Sequence, residues 1–141
     1  MNDRTPMNEG AISFGLLWLR VLAGLGIMTH GYPKLFGGNM AKFAKSAGEL
    51  GLPQPELMAW LAALSEFFGG LLLVLGLFTR PAALFCMATM SVAAFLAHSE
   101  DPFSVKEKAL AYWTMFGALL IMGGGKYALE RRFFRGRGRR R

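Results

Sequence analysis

The sequence predicts an all-α, polytopic membrane protein: a bundle of four transmembrane helices with a short amphipathic interfacial helix in its first outer loop. Three observations carry that prediction. Of 141 residues 53% are hydrophobic and 18% charged, more apolar than an ordinary soluble domain. The apolar residues fall into long blocks, and about 20 helical residues cross roughly 30 Å of hydrocarbon. The linker between the second and third blocks is "TRP", Thr79 to Pro81, which leaves room only for an antiparallel hairpin.

The first block runs from Ala11 to Tyr32. Arg4 before an apolar run also fits a secretory leader, but Arg20 sits inside the run and no convincing small-x-small cleavage site precedes His30, so the block is read as an uncleaved span. The following segment, Asn39 to Leu50, sets Met40, Phe43, Ala47 and Leu50 opposite Lys42, Lys45 and Glu49. That spacing predicts a helix lying in the interface, ended by Gly51 and Pro53. The second span is expected over Leu57 to Phe78, the third over Pro81 to Ala97 with Pro81 in its first turn, and the fourth over Ala109 to Gly123. Asp101 and Pro102 mark the turn between the last two.

The chain divides into an N-terminal tail (1–10), a membrane domain (11–127) and an Arg-rich tail (128–141). Arg4, Arg80, Lys126 and the tail residues Arg131, Arg132, Arg135, Arg137, Arg139, Arg140 and Arg141 fall on one side of the spans. Lys34, Lys42, Lys45, Lys106 and Lys108 fall on the other. The positive-inside rule therefore puts both termini in the cytoplasm. A basic cluster directly after a span meets anionic headgroups, so the tail is read as a lipid anchor or partner-docking segment rather than a nucleic-acid arm. The single cysteine, Cys86, excludes dithiol exchange within one chain.

An unpaired charge at the bilayer centre costs on the order of 3 kcal/mol. Arg20 and Glu66 are the ionisable residues inside spans. On helical wheels Arg20 shares a stripe with Gly24, Ile27, Gly31 and Lys34, and Glu66 shares one with Ala59, Ala62, Gly70 and Leu73. Both stripes are rich in the small residues that let transmembrane helices approach. The expectation is a buried Arg20–Glu66 ion pair, serving either as an assembly clip or as part of a proton path.

His30, Tyr32, Lys34, His98, Asp101 and Glu107 all fall at the outer ends of spans and are read as a ligand mouth. Stripes of Met87, Ser91, Ala94 and His98, and of Glu107, Ala111, Thr114, Ala118 and Gly125, would extend it inward. Donors and carboxylates around an apolar slot suit a quinone. Two histidines at similar depth would suit a b-type haem less well, and the ligand set for a metal site is missing. The bland alternative is that these residues simply meet headgroups. "GGGK" at Gly123 lacks the spacing and the following Ser or Thr of a phosphate loop and reads as a helix end.

The stretches "LRVLAGLGIMTHGYPKLFGG" from Leu19, "FAKSAGELGLP" from Phe43, "AALSEFFGGLLLVLGLFTRPAAL" from Ala62 and "GGGKYALERRF" from Gly123 together resemble the DoxX family of small four-helix membrane proteins. The combination of an intramembrane Arg, His-Gly-x-x-Lys, Glu-x-x-Gly-Gly and a Gly-x-Gly-x-Tyr ending carries the resemblance, over roughly Phe14 to Phe133. Where the family usually has Ser and Asp flanking a Leu near the C-terminus, this chain has Ala128 and Glu130, keeping the acid and losing the hydroxyl. The resemblance implies an inner-membrane protein. The family's namesake is a membrane subunit of a thiosulfate to quinone oxidoreductase, and other relatives are membrane partners in redox-stress assemblies. The resulting expectation is a membrane subunit of a quinone-linked redox system, working with a soluble redox partner or as a homo-oligomer. A non-catalytic anchor and a small-solute carrier are the rival readings.

Overall fold

The computed structural model describes residues 9–135. Arg137, Arg139, Arg140 and Arg141 of the basic tail, with Arg4 at the other terminus, lie outside the described residues, and so does the side chain of Arg135. Among the described residues every regular element is helical. α1 spans Glu9–Phe36, α2 Met40–Glu49 and α3 Pro55–Leu75; α4 spans Thr79–Ala97, α5 Phe103–Met122 and α6 Leu129–Arg135. α1, α3 and α4 are long and apolar enough to cross a membrane, at 28, 21 and 19 residues. α5 is as long, at 20 residues, but carries Lys106, Glu107 and Lys108 in its first turns.

The expected blocks all became helices, displaced by a few residues at their ends. α1 begins before and ends after the apolar block, because helical geometry continues through Pro33 to Lys34 and Phe36. Pro33 lies near the end of the helix, and its carbonyl is taken up by Gly37 N–H at 3.0 Å. α3 stops at Leu75 rather than Phe78. Gly76 adopts φ 70°, the left-handed residue that ends helices. Leu77 N–H then bonds Leu72 O at 2.9 Å and Gly76 N–H bonds Leu73 O at 3.2 Å, closing the last turn of α3.

α1 and α3 cross where neither has a side chain. A Cβ on Gly24 would sit 2.6 Å from Gly70 O, and one on Gly70 would sit 2.7 Å from Gly24 O. The two predicted small-residue stripes therefore face one another, with Gly24, Ile27 and Gly31 buried on α1 and Ala59, Gly70 and Leu73 buried on α3. α5 packs along α4, and Trp113 Nε1 donates to Ser91 Oγ at 2.9 Å. The run through α5 brings the chain back to the end where α1 begins, with Lys126 Nζ 2.8 Å from Glu9 Oε2. α2 packs its Ala44 and Ala47 inward and lies against the first turns of α3.

α3 and α4 each contain one widened, π-type turn, at Ser65–Gly69 and at Ala93–Ala97. Such turns concentrate at functional positions of helices. In α4 the turn lets His98 N–H reach Ala93 O at 3.0 Å. In α3 it contains Glu66, and Ser65 O accepts the Cys86 thiol at 3.2 Å.

Candidate ligand cavity and two buried charge clusters

The expected Arg20–Glu66 pair is not formed. Arg20, 2% exposed, donates through Nη1 to Leu73 O at 3.1 Å and Val74 O at 2.7 Å, and through Nη2 to Tyr127 O at 2.9 Å. The register explains the correction. Arg20 lies level with the last turn of α3, and Glu66 lies about 12 Å farther along that helix at 1.5 Å per residue. The sequence-based depths differed by less because the two helices were expected to end at one level, whereas α1, which begins at Glu9, runs on well past the end of α3 at Leu75.

Arg20 thus places a cation on the last carbonyls of α3, the negative end of its dipole. The converse stands at the start of α4, where Glu130 Oε2 accepts the Thr79 N–H at 2.9 Å. Glu130 N–H in turn bonds Gly76 O at 2.9 Å. The segment from Gly123 to Glu130 therefore folds over the α3–α4 turn and supplies a carbonyl to Arg20 and a carboxylate to α4. Ala128, at the position where a hydroxyl was expected from the resemblance, is buried against Gly76, whose Cβ would sit 2.7 Å from Ala128 Cα.

Glu66 pairs instead with Lys34, Nζ to Oε2 at 2.6 Å. Glu66 is 3% exposed, and Gly31 lets α1 lie directly over it, since a Cβ there would meet Phe67 N at 2.6 Å. Lys34 Nζ also stands 4.0 Å from the centre of the Phe43 ring, a cation–π contact that ties α2 to the pair.

This second cluster opens into a cavity of about 600 Å³, within the size range of small-molecule sites. Its walls are mostly aliphatic and aromatic. The polar groups that line it include His30, Lys34, Glu66, His98, Lys108 and Tyr112. The hydroxyls of Ser65 and Thr89, 2.6 Å apart, stand on the wall between α3 and α4. His30 and Tyr112 meet edge to face at 5.9 Å, and neither side chain is hydrogen-bonded to another described residue. His98 Nδ1 lies 2.6 Å from Asp101 Oδ2, which holds the ring and leaves Nε2 as the other polar atom.

Of the predicted mouth residues, His30, Lys34 and His98 line the one cavity, and Asp101 acts through His98. Tyr32 does not line it. Tyr32 is exposed and packs on Phe36 and Phe67 at 5.2 and 6.2 Å. Glu107 is exposed and also outside the lining, where its neighbour Lys108 stands instead. The stripe of α5 that faces the cavity is Val105, Lys108, Ala109 and Tyr112, one position round from the one expected. On α4, Met87 and Ser91 face α5 rather than the cavity, with Ser91 held by Trp113 and Met87 beside Gly117. Tyr112, Lys108, Ser65, Thr89 and Glu130 were missed as site residues. Tyr112 and Thr89 carry a signal, a hydroxyl inside an apolar helix; Glu130 was read as part of the tail.

Fold and site together define a helical membrane protein that is clasped at one end and holds a ligand-sized cavity at the other. The chain belongs to the DoxX family: the family model described as DoxX matches residues 15–99. It is 34% identical over 128 residues to the inner membrane protein YphA of Escherichia coli (strain K12), covering 83% of this chain and 89% of that protein. It is 32% identical over 122 residues to the inner membrane protein YqjF of the same organism, covering 83% and 90%. An uncharacterized protein of Haemophilus influenzae is 31% identical over 134 residues, covering 85% and 91%. No solved structure matches the chain.

Proposed function

We propose that this protein is an inner-membrane ligand-binding subunit of a quinone-linked redox system, and that the cavity holds the quinone head group. The observation that carries the reading is the cavity itself. Apolar walls enclose the Lys34–Glu66 pair, whose carboxylate is buried, with the side chains of His30 and Tyr112 making no hydrogen bond to another described residue beside it. A quinone needs a flat apolar slot, donors to its carbonyl oxygens and a group that exchanges protons with water. Tyr112, His30 and Lys34 supply donors, and Glu66 with Lys34 supplies the proton-handling group.

The topology follows the charge pattern. α5 is the fourth span, with Lys106 and Lys108 at its outer edge, and α2 lies along the outer interface as a roof over the cavity. Both termini are cytoplasmic, so the Arg20 end faces inward and the cavity end outward. The inner-membrane names of YphA and YqjF support the location. The membrane domain occupies residues 11–127, and the basic tail after it meets anionic headgroups or a soluble redox partner.

The test is a visible absorption spectrum of detergent-purified protein, followed by solvent extraction and mass spectrometry, beside a Glu66→Gln, His98→Ala variant. About one quinone per chain, lost in the variant, is the expected result. A colourless protein carrying phospholipid alone would overturn the reading.

A further inference from the structure

The cavity has an opening that the head-group chemistry does not account for. α3 and α4 pack together chiefly along Ser65–Leu75, whereas Pro55–Leu64 lies against α1 and α2. Beyond the Ser65–Thr89 hydroxyl pair the two helices therefore diverge. Several residues around this divergence line the cavity and are also exposed on the outer surface: Leu61 at 51% and Val92 at 37% on the diverging limbs, and Phe85 at 64% with Ala88 in the turn of α4 beside them. A side chain that both lines a cavity and faces outward marks the rim of an opening. These four side chains are apolar, the Ser65 and Thr89 hydroxyls at the edge of the slot are bonded to each other, and the rim lies within two of the membrane-crossing helices, so hydrocarbon rather than water meets it. The polar groups stand on the far side, at Lys34, Glu66, His30 and Tyr112, under the α2 residues Phe43 and Ala47.

We propose that the cavity is loaded sideways from the bilayer through the slot between α3 and α4. Its ligand is a membrane-dissolved amphipath whose small hydrogen-bonding head lodges at Lys34–Glu66 while its hydrocarbon tail leaves between Leu61 and Phe85. The nature of the head rests on the quinone reading above; the slot and the need for a tail do not. A water-soluble ligand would have no use for an apolar rim at the depth of the lipid chains.

The test places the photoreactive residue p-benzoylphenylalanine at Ala62, on the cavity wall, in the full chain in its native membrane, and identifies the adducts by mass spectrometry after irradiation. Adducts to a hydrocarbon-bearing molecule are expected. They should fall about tenfold when Leu61→Trp and Ala88→Trp fill the slot, while the same label at the outward-facing Trp18 is unchanged. A Phe85→Ala variant, which widens the rim, should raise the Ala62 yield and keeps the test open if the filled-slot variant misfolds. Cross-links to a second copy of the chain, products with the chain alone, or adducts indifferent to both variants would overturn the slot. Adduct mass separates the two claims. Phospholipid without quinone leaves the slot standing and removes the quinone reading, and quinone adducts that ignore the slot variants do the reverse.

Discussion

Two buried charges at opposite ends of one helix pair have been handled in opposite ways. Arg20 spends its donors on three backbone carbonyls, with Nε left buried and without a hydrogen-bond partner among the described residues. Glu66 spends one oxygen on Lys34 and faces a cavity of about 600 Å³. The first arrangement closes: α1, the end of α3 and the chain after α5 are joined through one guanidinium. The second stays open, because a point-charge pair leaves hydrogen-bonding capacity that a ligand or water can use. The difference follows from the side chains. A guanidinium offers five donors in a rigid fork and keeps its charge, suiting it to gathering carbonyls. The Lys34–Glu66 pair is held through a single contact and can rearrange.

The contrast is broken most sharply at Arg20. Arg20→Ala strips the donor from three carbonyls in a dry interior, at about 1–3 kcal/mol each. The expected outcome is loss of a monodisperse peak in mild detergent, with Arg20→Lys recovering part of it. A variant that stays folded and keeps its ligand would show that the clasp does not close this end.

A smaller effect is expected at the open end. Lys34→Ala leaves Glu66 buried without its cation, a loss of about 3–5 kcal/mol. Combining Lys34→Met with Glu66→Gln should restore most of the melting temperature and still abolish ligand binding. A double-mutant cycle read by thermal unfolding and by ligand co-purification separates the two. Recovery of both stability and binding would make the pair a packing device like the clasp.

The smallest change tests how much of the closed end depends on the chain after α5. Glu130→Ala removes the acceptor from the first N–H of α4, worth about 1 kcal/mol for a helix cap. At this chain length that is roughly 2–4 °C in melting temperature. Ligand binding should be unaffected, as measured by the same co-purification.

Much of this was legible along the chain, because hydrophobic block length and the spacing of small residues are local properties. The facing stripes of Gly24 with Gly31 and of Ala59 with Gly70, the end set by Gly51, and the amphipathic α2 could all be read from neighbours a few residues apart. His30, Lys34 and His98 could be grouped because they fall at the same ends of alternating helices. Composition alone therefore determined a helical membrane protein with buried charge, and motif order carried the family.

Which charge met which could not be read that way. Gly24 lies against Gly70, so α1 runs past the end of α3 rather than ending level with it, and that register decides whether Arg20 faces a carboxylate or a row of carbonyls. The π-type turns that carry Glu66 and precede His98, and the return of Glu130 over the α3–α4 turn, rest on contacts between segments far apart in sequence. The sequence determined that two ionisable groups had to be satisfied inside the membrane. Only the tertiary structure decided that one would be sealed by backbone and the other left facing a cavity, because partner choice depends on helix register and side-chain reach in three dimensions.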